Sequence, residues 1–338
     1  MTVRYTLLVL VALIAAGALI VHFYDVSPGR RHSPGRPHAV ARVHRHPPVY
    51  GAAPAAVRVQ MRFKHAPRAG ELFDLRTGRV LWSREPYRRA PIASLAKMMT
   101  AIVVNDRARD SERVFISRRA RQEPGSAVGL LPPHHHVRLR LLLYGLMLPS
   151  GNDAAIALAQ HVAGGVAAFV RDMNAKARAL GLRCTHFSSP DGYVDRGNRS
   201  CPRDLAVLAR EVLRRPRLAR VVRTDYISFP SLIPHTAKVR RNGVRKKITV
   251  WKPGRLYLAT HNPLLVNGYP GTTGIKTGFT DAAGRCLVAT ATRHGVSLGV
   301  VLLHSPDPGG QAKRLLNRGF RAMWRARARA RSRLRAPG

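Results

Sequence analysis

A fourteen-residue run, Pro91-Ile92-Ala93-Ser94-Leu95-Ala96-Lys97-Met98-Met99-Thr100-Ala101-Ile102-Val103-Val104, is apolar nearly all round yet carries a lysine. Such a run predicts a helix buried on every side, and that demands a large core. A chain of 338 residues, 45% of them apolar, can supply one. On a helix, residues i and i+3 share a face, so the Lys97 amine is within reach of the Ser94 hydroxyl. A serine is a poor nucleophile without an adjacent base. A lysine serves as that base only if desolvation or a second cation lowers its pKa. The apolar helix offers the first.

Two more short motifs follow in order, Ser150-Gly151-Asn152 and Lys276-Thr277-Gly278. Each alone is weak: Ser94 also reads as a residue at a helix start just after Pro91, and Lys97 as a snorkelling lysine. The ordered set is far rarer than any member. Its third motif falls on a predicted strand beside Gly271 and Gly274, and Lys276, if brought close, is the second cation.

Around these motifs a folded domain is expected over residues 69–324. Glu71 to Leu75 and Arg79 to Ser83 flank Arg76-Thr77-Gly78, a hairpin signal. Helices are predicted at 137–148, 153–163, 166–180 and 202–215. Strands follow at Thr272 to Thr277, Arg285 to Thr292 and Ser297 to Leu303, then a last helix from Gln311 to Trp324. Strands at both ends with helices between them imply one sheet assembled from distant parts of the chain.

Outside that domain the chain changes character. Tyr5 to Tyr24 contains no Lys, Arg, Asp or Glu and as a helix just spans a bilayer. Residues 1–24 read as an N-terminal membrane anchor, with a cleaved signal peptide ending at Ala16-Gly17-Ala18 as the rival. Arg30, Arg31 and Arg36 outnumber Arg4, which by the positive-inside rule holds the rest of the chain inside. The chemistry of the motifs overrides that rule here. Residues 25–68, with Pro28, Pro34, Pro37, Pro47, Pro48, Pro54 and Pro67, read as a stiff basic tether. His44 and His46 have no Cys or carboxylate nearby and belong to it.

Charge is the other anomaly: 58 Lys+Arg against 17 Asp+Glu give +41. Such a chain is drawn to anionic membranes, wall polymers or nucleic acid. The excess is nearly all arginine, 49 against 9 lysines, so an arginine-favouring coding bias explains much of it as well. The basic tail 325–338 reads as a nucleic-acid arm, an arm for wall polymer or lipid headgroups, or a frayed solvated end. Three cysteines exclude a disulfide-dense miniature fold and a four-thiolate metal site.

The three motifs resemble those of the penicillin-recognising serine enzymes. The surrounding text resembles the low-molecular-weight D-alanyl-D-alanine carboxypeptidases, serine peptidase family S11, in particular. The likeness runs through PIASLAKMMTAIVV at 91–104, LLLYGLMLPSGNDAAIALA at 141–159, THFSSPDGY at 185–193, RDLAVLAR at 203–210 and GTTGIKTGFTDAAGRCLVAT at 271–290. It implies an α/β (α+β) fold of the β-lactamase/transpeptidase type. That fold is an antiparallel sheet flanked by helices plus a mostly helical subdomain, with the active site between them.

The resemblance also implies roles. Ser94 would attack the penultimate D-alanine carbonyl of peptidoglycan stem peptides, Lys97 would act as general base, Ser150 would relay a proton, and Asn152 would hold the peptide amide. Lys276 and Thr277 of the Lys276-Thr277-Gly278 motif would bind the terminal carboxylate. The backbone N–H groups of Ser94 and Phe279 would form the oxyanion hole. No metal or organic cofactor is expected, β-lactams should bind covalently, and nucleic acid drops out as a partner. The expected location is extracytoplasmic, in the cell envelope, anchored or secreted. Cys184 and Cys201 could close the THFSSPDG segment by a disulfide, and Cys286 reads as a buried free thiol.

Some features depart from the family pattern. Leu131-Pro132-Pro133-His134-His135-His136 stands where relatives carry a Gly and an acidic residue in a turn, and is read as an exposed loop rather than a metal site. DD-endopeptidase, transpeptidase and β-lactamase activities fit the same motifs, although no deacylation base can be nominated between the second and third. A catalytically silent cell-wall-binding protein is the rival from another class.

Overall fold

Along Leu287-Val288-Ala289 and Val300-Val301-Leu302-Leu303 every residue is buried, so these strands lie in a sheet covered on both faces. The computed structural model describes residues 51–193, 196–241 and 244–335. The anchor or signal peptide read at 1–24 and most of the tether lie outside the described residues.

In chain order the first half comprises β1 (Ala69–Asp74), β2 (Val80–Arg84), β3 (Ala90–Pro91), a 3-10 turn (Ala93–Ala96), α1 (Lys97–Arg107), β4 (Arg113–Phe115), α2 (Arg118–Arg121), β5 (His136–Arg138), α3 (Leu139–Met147), α4 (Asn152–Ala163) and α5 (Val166–Ala179). The second half comprises β6 (Arg199–Ser200), α6 (Pro202–Leu213), α7 (Pro216–Val222), β7 (Tyr226–Arg241), β8 (Val244–Ala259), α8 (Pro263–Val266), β9 (Thr272–Thr280), β10 (Gly284–Arg293), β11 (Val296–Leu303) and α9 (Pro308–Arg335).

Five strands form the main antiparallel sheet in the order β2-β1-β11-β10-β9. Because side chains alternate across a strand, its two faces feed two cores. Phe73, Val288, Val301 and Leu303 join the core of α1 and α3–α7. Leu72, Leu287, Ala289, Val300 and Leu302 pack on Leu315, Leu316 and Phe320 of α9. This is the expected sheet between helices, with a helical subdomain beside it, and the long-range pairing of β1 with β11 is as the strand pattern required.

Four details differ from the sequence reading. The run at 91–104 is not one helix: a 3-10 turn precedes α1. Residues 226–241 and 244–259 form a two-stranded ribbon, each strand sixteen residues long and paired throughout, where no element was predicted. Pro230, Pro234 and Pro253 hide it, since proline suits only an edge strand, and both strands of a ribbon are edges. The tether ends earlier than residue 68, for Ala53, Val57 and Val59 are buried against Leu81, and Val59 N donates to Leu81 O at 2.8 Å. Finally, α9 runs on to Arg335 rather than fraying at 325. Alternating Arg and Ala favour a helix, and Arg327 donates to the carbonyls of His294 and Gly295 at 3.2 and 3.3 Å.

Cys184 and Cys201 are joined in a disulfide across a separation of 17 residues, and Cys286 is a buried thiol outside that bond, donating to the Ala283 carbonyl at 3.5 Å. Replacing both bonded cysteines by serine should lower unfolding stability by about 3 kcal/mol, the loop-closure value for such a span, measured by denaturant titration. Peptide mapping without reductant should recover the linked pair.

Under the sheet, Glu71 of β1 is fully buried and faces Arg203 of α6 at 3.3 Å. Burial outweighs the arginine and raises its pKa from 4.5 to about 7. The folded chain therefore holds this proton more tightly than the unfolded one. The contribution is complete below pH 4.5 and lost as pH rises towards 7, about 3 kcal/mol in all. Thermal melts across pH 4.5–7.5 should show this decline, and Glu71→Gln should flatten it.

Candidate active site

The polypeptide enters the site at β3, and Ala93, with φ of 47°, turns it sharply into the 3-10 segment. In a 3-10 turn residues i and i+3 eclipse, which serves Ser94 and Lys97 better than the α-helix predicted for them. Lys97 Nζ lies 2.9 Å from Ser94 Oγ. The lysine is completely buried, and its amine is also held by Asn152 Oδ1 at 2.6 Å and the Asp191 carbonyl at 2.8 Å. Burial lowers its pKa from 10.5 to about 8, against the opposing pull of Asp191, Asp153 and Glu123.

The second motif sits at the start of α4. Ser150 has φ of 67°, and its Oγ is buried with no hydrogen-bond partner among the described residues. Asn152 opens the helix, donates from Nδ2 to the Pro124 carbonyl at 2.6 Å and accepts from Lys97 at Oδ1. Asp153 accepts from Val128 N and Gly129 N at 2.9 and 3.0 Å, tying the preceding loop down over this motif.

The third motif lies on β9, an edge strand of the sheet. An edge strand leaves alternate N–H and C=O groups unpaired, here on the side of the 3-10 turn. A methyl group at Gly278 would come within 2.9 Å of the Ile92 carbonyl and 3.2 Å of Ser94 N, so only glycine lets the strand approach the turn this closely. Lys276 is buried, its Nζ donating to Thr277 O at 3.0 Å. Burial and the nearby Lys97 charge push its pKa well below the usual lysine value. Thr277 is half-buried, and the Phe279 side chain stands out into solvent, 64% exposed.

Ser94, Lys97, Asn152, Lys276 and Gly278 are thus brought together, with Ser150, Thr277 and Phe279 beside them in sequence. Three contributors escaped the sequence reading. The Asp191 and Pro124 carbonyls act through backbone, which no residue type announces. Gly192, with φ of 75°, would drive a methyl group to 2.0 Å from the Ala93 carbonyl. The Asp-Gly pair in SSPDGY was the available signal for this turn. The disulfide closes the loop that carries it. His134, His135 and His136 are exposed away from these groups, with the Phe115 ring against His134 and His136.

Residues 57–307 match the D-alanyl-D-alanine carboxypeptidase family, peptidase S11. The chain is 29% identical over 266 residues to the D-alanyl-D-alanine carboxypeptidase DacF of Bacillus subtilis, with 76% of this chain and 62% of that protein aligned. It is 33% identical over 261 residues to the D-alanyl-D-alanine carboxypeptidase of Streptomyces sp. strain K15, covering 72% of this chain and 84% of the relative. The chain thus spans less than two thirds of the Bacillus protein. The crystal structure of the Streptomyces K15 DD-transpeptidase superposes with a TM-score of 0.66 at 30% identity, over 77% of this chain and 99% of that one. With the sheet, the helical subdomain and all three motifs in agreement, the chain belongs to the D-alanyl-D-alanine carboxypeptidase family of serine peptidases, S11.

Proposed function

We propose that this protein is a serine-type D-Ala-D-Ala carboxypeptidase that trims the terminal D-alanine from peptidoglycan stem peptides outside the cytoplasmic membrane. The observation that carries the reading is the buried Lys97 amine, 2.9 Å from Ser94 Oγ and with its pKa brought down to about 8.

In this mechanism neutral Lys97 takes the proton as Ser94 Oγ attacks the penultimate D-alanine carbonyl. The oxyanion that forms is stabilised by the backbone N–H groups of Ser94 and Phe279, each such donor being worth about 3 kcal/mol. Ser150, whose hydroxyl has no partner among the described residues, relays the proton to the leaving amine. The peptide C–N bond breaks, terminal D-alanine departs, and Ser94 keeps the acyl group as an ester. Asn152 orients both Lys97 and the substrate amide. Lys276 and Thr277 receive the terminal carboxylate, whose negative charge favours the protonated form of Lys276 that burial and Lys97 disfavour. Water then cleaves the ester. A β-lactam enters by the same first step and leaves an adduct on Ser94.

Transfer of the acyl group to an amine is the second reading. The Streptomyces K15 protein, which aligns so fully, carries both a carboxypeptidase and a DD-transpeptidase name.

Intact mass of the full chain in non-ionic detergent after incubation with a penicillin should show one adduct, absent from Ser94→Ala. Release of free D-alanine from a pentapeptide should follow, and release only when an amine acceptor is supplied would select the transfer reading. No adduct on a folded sample would remove catalysis altogether. The acylation rate should climb with pH and level off above about 8, as Lys97 loses its proton. Lys97→Arg, which cannot deprotonate in this range, should be slower by about 10²–10⁴-fold and lose this limb.

A further inference from the structure

At the far end of α1 from Lys97, about 16 Å along the helix axis, a second cavity opens between the β4–β5 hairpin and the base of the β7–β8 ribbon. Its volume is about 780 Å³, and it lies outside the site described above. Arg113, Arg138 and Arg140 line it together with His135, His136 and Phe229. A carboxylate also lines it, Asp110, but that group is engaged by Arg217 at 3.2 Å. The three arginines have no carboxylate within ion-pair distance among the described residues.

All three side chains are exposed, and two of them are held in place. Arg113 donates from Nη2 to the His136 carbonyl at 2.9 Å, which bridges β4 to β5 and fixes its guanidinium. Arg140 rests over the Tyr144 and Phe229 rings at 5.9 and 6.0 Å, which restrains its guanidinium at the cavity wall. Pro132, Pro230 and Pro253 stiffen the walls. Planar guanidinium groups pair with phosphate oxygens two at a time, and several held around one cleft suit an anion carrying more than one phosphate.

We propose that this cleft binds a soluble polyanion of phosphodiester-linked units, holding it while the Ser94 site remains free. The concave shape, closed by two hairpins, suits a flexible chain rather than the flat surface of a bilayer. The proposal does not rest on the catalytic assignment, because binding here is read without turnover.

The test is calorimetric titration of the full chain in non-ionic detergent with tripolyphosphate and with soluble poly(glycerol phosphate), at fixed salt. Both should bind. Arg138→Gln/Arg140→Gln should weaken each at least tenfold, while Arg329→Gln/Arg331→Gln on α9 should stay within twofold of wild type. Ser231→Trp, which fills the cavity without touching charge, should weaken binding as well. The penicillin adduct rate checks that every variant is folded and should not change. Equal losses in the two arginine doubles would reduce the effect to diffuse charge and overturn the site, as would an absence of binding. A preference for phosphatidylglycerol over phosphatidylcholine vesicles that depends on Arg138 and Arg140, with the soluble polymer unbound, would overturn the choice of ligand.

Discussion

Removing the Lys97 amine from water is the costly act on which the rest of this structure depends. A buried ammonium is tolerated only where its hydrogens are met, and otherwise the group gives up its charge. Here the 3-10 turn, the start of α4 and the Asp191 loop each contribute one oxygen to that amine. Three separate stretches of chain are thereby fixed relative to one another by a single atom. The apolar α1 behind it, with Met98, Met99 and Ile102 all inaccessible to solvent, and Leu95 of the turn likewise, keep water from relieving the arrangement. The lowered basicity is therefore a consequence of the fold and not of one neighbour.

Lys276 faces a related constraint from the opposite side. It too is buried, and the Lys97 amine lies near enough to disfavour its charge. Lys97 keeps more basicity because Asp191, Asp153 and Glu123 surround it. A division of labour follows from surroundings alone: one lysine suited to exchanging protons near neutrality, the other to accepting charge when an anion arrives. His261 feels the same field, its pKa being lowered by burial and then by Lys276.

Legibility in the sequence followed the physics of each feature. Ser94, Lys97, Ser150, Asn152 and Lys276 announced themselves because their chemistry is unusual for their apolar setting. Strands β10 and β11 and helices α3–α6 were visible through unbroken apolar runs or helical period. The β7–β8 ribbon was not, since most of its described residues are exposed or half-buried and little burial imposes an apolar alternation. Backbone contributions from Pro124 and Asp191 had no signature in residue type either. The burial of Val57 and Val59 was masked by the prolines and arginines around them, which dominate any average taken over the segment.

The pairing of β1 with β11 has a consequence for how the molecule comes into being. Ala69 lies beside Leu303, and the last strand to be made is the centre of the sheet. Contacts so distant in sequence demand that a long loop be closed before any gain is realised. The helical subdomain, built from contiguous segments, can gather early. The nucleophilic turn within it has to wait for β9, and β9 has to wait for β10 and β11 to give it a sheet to join. An incomplete chain accordingly holds Ser94 and Lys97 but lacks the strand that packs against their turn, which arrives only when synthesis is nearly finished.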